Sequence, residues 1–213
     1  MRFFLDTANL DEIRKATQYG ILDGVTTNPT LLSREASDWR DLAATICKEV
    51  QGPVSLEVFS EVSVKMLEEA RELLHFGPNV VIKCPCTPEG LKACKQLSSN
   101  GVDVNMTLIF SPLQALLAAK AGAAYVSPFV GRLDAVGHRG MDLVEQIMTI
   151  FGNYGFNTQV LVASIRTPTH VLEAALLGAH VCTVPLAVLM DLLKHPLTDT
   201  GLITFAQDAA KLR

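Results

Sequence analysis

Asn79-Val80-Val81-Ile82-Lys83-Cys84, residues 79–84, is the stretch on which the reading of this chain turns. Three consecutive β-branched residues mark a strand, and a near-continuous apolar run is what a strand covered on both faces requires. The next elements follow within a few residues. Thr87 precedes Pro88, with Glu89 in the first turn, so proline sits at the first helical position behind a threonine cap. Gly101 then ends that helix, and a second strand-like run begins at 102.

The same unit repeats in both directions. Strand-like runs fall at 2–6, 23–27, 54–59, 79–84, 102–108, 124–129, 159–164 and 180–185. Helix-compatible stretches separate them at 10–17, 38–50, 63–74, 88–98, 112–121, 140–151, 168–177 and 186–194. Ser111-Pro112 and Thr167-Pro168 repeat the start signal, while Gly122 and Gly178 repeat the stop. An amphipathic stretch at about 202–212 follows a turn around Pro196. Eight strands alternating with eight helices predict one (β/α)8 barrel domain over 1–213, with an additional C-terminal helix. The competing architecture is a doubly wound open sheet. It calls for a glycine-rich turn after the first strand, and Asp6-Thr7-Ala8-Asn9-Leu10 is not one.

Composition excludes several functions. Of 213 residues, 49% are hydrophobic and 19% charged, a balance that argues against disorder. No apolar run approaches the ~20 residues that span a bilayer, and the N-terminus reaches Asp6 too early for a secretory segment. A cytoplasmic protein without membrane contact is expected. A net charge of −4 and no basic run argue against nucleic acid. The five cysteines form no CxxC pair and the histidines no HxH or HExxH, so no metal or other cofactor is expected. Cys84 and Cys86, on either side of Pro85, are read with the others as free thiols packed as small hydrophobes.

A barrel concentrates chemistry where its strands end. Asp6, Thr26 and Asn28, Glu57, Lys83, Asn105 and Thr107, Ser127, and Ser164 put polar groups near the ends of seven strands. Lys83 is the most informative: of nine lysines it alone lies in an apolar strand. Burial penalises an ammonium there and favours the neutral amine, the nucleophile of Schiff-base chemistry on a carbonyl. The plainer reading is a lysine paired with Glu57 or Asp6. If those carboxylates are instead catalytic, one transfers a proton at a sugar hydroxyl and the other handles water during imine formation. Arg132 and Arg166 follow the sixth and seventh strands, where an anionic group would meet them together with Ser164 and the start of the Pro168 helix. Asn28 precedes Pro29 and also suits a turn, and Gly131 and Gly137 read as loop punctuation.

These residues carry a resemblance. FLDTAN, GVTTNPTLL, SLEVF, VVIKCP, NMTLIF, YVSPFVGRLD, VASIRTP and TVPLAVL occur in order along the whole chain. Together they resemble the small-type transaldolases and the related fructose-6-phosphate aldolases. The resemblance implies a metal-free Schiff-base mechanism in the non-oxidative pentose phosphate pathway. A dihydroxyacetone unit would pass from sedoheptulose 7-phosphate or fructose 6-phosphate to glyceraldehyde 3-phosphate or erythrose 4-phosphate. It makes Lys83 the Schiff-base lysine and Asp6 the acid/base group at the C4 hydroxyl. Glu57 and Thr107 would hold the catalytic water, and Asn28 and Asn105 the dihydroxyacetone unit. Thr26, Ser127 and Phe129 would line the substrate pocket, with Arg132, Ser164 and Arg166 gripping the phosphate. It also implies a homo-oligomer, a pentamer or decamer. Aldolases of the group tend to carry glutamine and tyrosine at the positions of Glu57 and Phe129, so the resemblance favours a transaldolase over an aldolase releasing dihydroxyacetone. A non-catalytic sugar-phosphate binding protein is the alternative of a different class, and it would need no nucleophilic lysine.

Overall fold

The computed structural model describes residues 1–35 and 38–212. Eight strands close into a parallel barrel in chain order: β1 (Arg2–Asp6), β2 (Gly24–Thr26), β3 (Val54–Glu57), β4 (Val80–Pro85), β5 (Val104–Ile109), β6 (Tyr125–Pro128), β7 (Gln159–Val162) and β8 (Val181–Val184). β8 pairs back onto β1, so neither edge is left open, and the doubly wound alternative is excluded. The outer helices are α1 (Leu10–Gln18), α2 (Pro29–Glu35), α3 (Trp39–Glu49), α4 (Ser63–Leu74), α5 (Pro88–Ser99) and α6 (Pro112–Ala121). They continue as α7 (Val130–Asp134), α8 (Gly140–Tyr154), α9 (Pro168–Leu176), α10 (Leu186–Asp191) and α11 (Pro196–Ala210).

Capping fixes where helices begin. Thr87, Ser111 and Thr167 each accept an amide from the first turn behind a proline, and Ser111 with Gln114 completes a capping box. The terminal helix departs from expectation. It spans Pro196–Ala210, and its start is fixed by the His195 ring, which accepts the Leu197 amide as a cap. Pro196 is thus a helix start and not a turn. α2 and α7 lie in stretches that read as connections.

Every strand alternates between two environments. Outward residues such as Leu5, Val25, Leu56, Ile82, Met106 and Val162 belong to the large core between sheet and helices. Inward residues form a separate, smaller cluster: Phe4, Val81, Tyr125, Leu161, Ala163 and Val181. Phe4 fills space that only a glycine opposite leaves free, since a Cβ at Gly24 would lie 2.7 Å from the Phe4 ring. Arg2 lies over the rings of Phe4 and Tyr125 and hydrogen-bonds Gln159, closing this end of the barrel. The cysteines are free. Burial in apolar surroundings pushes the thiols of Cys84, Cys94 and Cys182 up to about 12. Among the described residues, no helix is long and apolar enough to cross a membrane.

Candidate active site

On five of the strands the inward position becomes polar one step further along. Asp6 follows Phe4, Thr26 follows Gly24, Lys83 follows Val81, Ser127 follows Tyr125 and Thr183 follows Val181. Side chains two residues apart face the same way, so this polar layer stands directly on the apolar plug. Glu57 pairs in register with Lys83, and Lys83 with Asn105. These strand ends line a cleft and a second, adjoining lobe, which share Asn28, Lys83, Phe129 and Arg132.

Lys83 is 5% exposed. Its Nζ donates to the Thr27 carbonyl at 3.0 Å and lies 3.0 Å from Glu57 Oε2. The charge-pairing reading of Lys83 is therefore the observed contact, with Glu57 as partner. A buried ion pair of this kind is poor evidence for stability, because desolvating both charges offsets their attraction. Its position at the mouth gives it another use: a carboxylate at hydrogen-bond distance can take a proton from the amine. Glu57 is steadied from behind, where Glu69 on α4 accepts the Phe59 amide at 2.7 Å and also binds the Ser60 amide and hydroxyl. That clamp also explains why β3 stops at Glu57 instead of continuing to 59.

Asp6 accepts the Thr26 hydroxyl at 2.9 Å, and Thr26 Oγ1 lies 2.6 Å from Thr183 Oγ1. Burial raises the Asp6 carboxyl above its ordinary value; the nearby Lys83 charge and the Thr26 hydrogen bond pull the other way without cancelling it. Asn105 is fully buried. Its amide donates to Ser55 Oγ at 3.2 Å and accepts from Ser127 Oγ at 2.7 Å. Asn28 accepts the Leu31 amide at 3.0 Å, so it starts α2 and lines the mouth at once.

Thr107 is 1% exposed, and its hydroxyl has no partner among the described residues. A β-bulge aims it into the second lobe: the β5–β6 register shifts between Met106 and Ile109, and Leu108 takes a φ of 58°. A backbone strained this way beside a buried polar atom is common at functional sites.

Arg132 rides on α7, its guanidinium 5.0 Å from the centroid of the Phe129 ring. Ser164 follows β7 with a φ of 60°. Its carbonyl accepts the Gly131 amide at 3.1 Å, and a Cβ at Gly131 would lie 2.2 Å from that oxygen. Gly131 is thus a required close approach and not loop punctuation. Of the residues singled out from sequence, all but Arg166 line the two lobes; Arg166 is exposed, its stem packed beside Gly131. Sequence reading missed Ser55, Gly131 and Thr183. The inward alternation in Val-Cys-Thr-Val is the signal by which Thr183 is recognisable.

The family model described as "Transaldolase/Fructose-6-phosphate aldolase" matches residues 3–212. This chain belongs to the transaldolase/fructose-6-phosphate aldolase family. A probable transaldolase of Maridesulfovibrio salexigens is 63% identical over 212 residues, covering 100% of this chain and 99% of that one. A probable transaldolase of Aquifex aeolicus is 57% identical, covering 100% and 98%. Among solved structures, a mandelate oxidase mutant with an FMN adduct superposes with a TM-score of 0.59 at 16% identity, over 87% of this chain and 64% of that one. That likeness concerns the barrel alone. Membership of the transaldolase/fructose-6-phosphate aldolase family makes this an enzyme of carbohydrate metabolism and a transferase.

Proposed function

We propose that the enzyme is a transaldolase that moves a dihydroxyacetone unit between sugar phosphates through a Schiff base on Lys83. The donor is sedoheptulose 7-phosphate or fructose 6-phosphate, and the acceptor glyceraldehyde 3-phosphate or erythrose 4-phosphate. The observation that carries this reading is a buried lysine at the barrel mouth, 3.0 Å from Glu57. Glu57 takes a proton from Lys83, and the amine attacks the ketose carbonyl. The carbinolamine then loses water, which Glu57 and the unpartnered Thr107 hydroxyl hold. Asp6 removes the C4-hydroxyl proton as the C3–C4 bond breaks, releasing the aldose phosphate. A carboxylate whose burial raises its proton affinity is a better base for that step. The enamine left on Lys83 adds to the acceptor aldehyde, Asp6 returns its proton, and water releases the product.

Asn28 and Asn105, with Thr26 and Ser127, hold the three-carbon unit. Arg132 and Ser164 at the mouth, with Arg166 on the loop beside them, hold the phosphate. Phe129 keeps a hydroxyl away from the enamine, so protonation does not compete with transfer. The test is glyceraldehyde 3-phosphate release from fructose 6-phosphate, without and then with erythrose 4-phosphate. Transfer requires the acceptor. Sustained release without it identifies a fructose-6-phosphate aldolase and overturns the proposal. Borohydride reduction in the presence of substrate traps the donor fragment on Lys83 and separates either enzyme from a mere binding protein.

A further inference from the structure

The two arginines assigned to the phosphate lie on separate segments. Arg132 is on α7, a helix of five residues, and Arg166 is on the connection from β7 to α9. At the inner end these segments are joined by backbone, with Val130 donating to the Ala163 carbonyl and Gly131 to the Ser164 carbonyl, each at 3.1 Å. At the outer end one imidazole joins them. His170 Nδ1 accepts the Arg166 backbone amide at 3.3 Å, and His170 Nε2 lies 2.9 Å from Asp134 Oδ2. The other Asp134 oxygen accepts the Gly140 amide at 2.8 Å, which ties in the start of α8. Because Nδ1 accepts, Nε2 carries the ring hydrogen and donates it to Asp134. The His170 side chain is 15% exposed. It touches neither Lys83 nor Asp6.

We propose that His170 is a positioning residue for the anion grip: through Asp134 and the Arg166 amide, it fixes the segments bearing Arg132 and Arg166 at the spacing a phosphate requires. This rests on the phosphate role given above to those arginines. A hydrogen-bonded ring between two short segments limits both at once, and a preset spacing removes the ordering cost from ligand binding. The chemistry at Lys83 is served by other strands. Losing the clamp therefore weakens recognition of the phosphate and leaves the bond-making steps in place.

The test measures kcat and KM with fructose 6-phosphate and with unphosphorylated fructose as donors. Unphosphorylated erythrose is the acceptor, so that only the donor carries phosphate and transfer from either donor gives a product distinct from the reactants. His170→Ala raises KM for fructose 6-phosphate about tenfold, the scale of one hydrogen bond to a charged network, and leaves its kcat and the values for fructose within about twofold. His170→Asn restores an acceptor for the Arg166 amide without reaching Asp134, and falls between wild type and His170→Ala. It gives the same discrimination if the alanine variant does not fold. Equal losses on both donors, or none, overturn the clamp. Arg132→Ala runs in parallel. If it too fails to separate the donors, the phosphate assignment itself is wrong and the clamp falls with it; if it separates them while His170→Ala does not, only the clamp is wrong.

Discussion

The lower and upper halves of the barrel interior are built by the same strands and behave as two different materials. Phe4, Val81, Tyr125, Leu161 and Val181 form an apolar plug, while two residues along lie Asp6, Lys83, Ser127 and Thr183. A step of two residues is about 6.6 Å along a strand, so less than the width of one side-chain layer separates plug from site. Close packing below gives the polar groups above a fixed floor, and burial at this depth raises the proton affinity of Asp6. The charges are thus held where they are by apolar neighbours that take no part in the chemistry.

Substitutions in the two layers should separate those roles, and the largest effect belongs to the upper layer. Lys83→Ala removes the nucleophile and is expected to lower kcat by at least about 10⁴-fold, with borohydride trapping abolished. Retention of substantial turnover by a folded Lys83→Ala protein would sink the Schiff-base mechanism. Below it, Phe4→Ala opens a cavity against Gly24 and is expected to cost about 3–5 kcal/mol in denaturant unfolding. Its KM and kcat, measured where the variant is folded, should stay within about threefold of wild type. A selective loss of kcat with unchanged stability would show that the plug tunes the site instead of supporting it.

Phe129→Tyr probes the rim of the upper half. It preserves the aromatic face under Arg132 and adds a hydroxyl near the enamine. Acceptor-independent release of glyceraldehyde 3-phosphate should rise by about tenfold, with KM for fructose 6-phosphate nearly unchanged. No increase would assign the distinction between transfer and cleavage to other residues.

The layered barrel was legible because strand runs and proline-headed helices recur along the whole chain, and all eight strands lie within about two residues of where the pattern puts them. What escaped were features set by contacts distant in sequence. α2 and α7 hide behind Asn28-Pro29 and Gly131, residues that also start turns. Gly131 is a glycine because of the Ser164 carbonyl, and no local pattern shows that. Lys83 stood out in an apolar strand, but its choice of Glu57 over Asp6 depends on barrel register. His170 and Asp134 meet only because β6 and β7, the strands that lead into their segments, are paired in the barrel.

The smallest effect concerns what the upper layer costs the fold. Asp6 has its proton affinity raised by burial, so the native state binds that proton more tightly than the unfolded chain does. Below the ordinary value of 3.8 both states hold the proton and the penalty is absent. As pH rises through the raised native value, the folded protein must either bury a charge or give up stability, and this contribution is lost. Asn cannot ionise. Asp6→Asn should therefore melt close to wild type at pH 3.5–4 and above it at pH 7, by roughly 2–4 °C if the penalty is about 1 kcal/mol, even though its catalysis is gone. The gap should open with pH and then level off. A wild type that melts higher than Asp6→Asn at pH 7 would mean that attraction to Lys83 outweighs desolvation, and that the polar layer helps to hold the barrel it sits in.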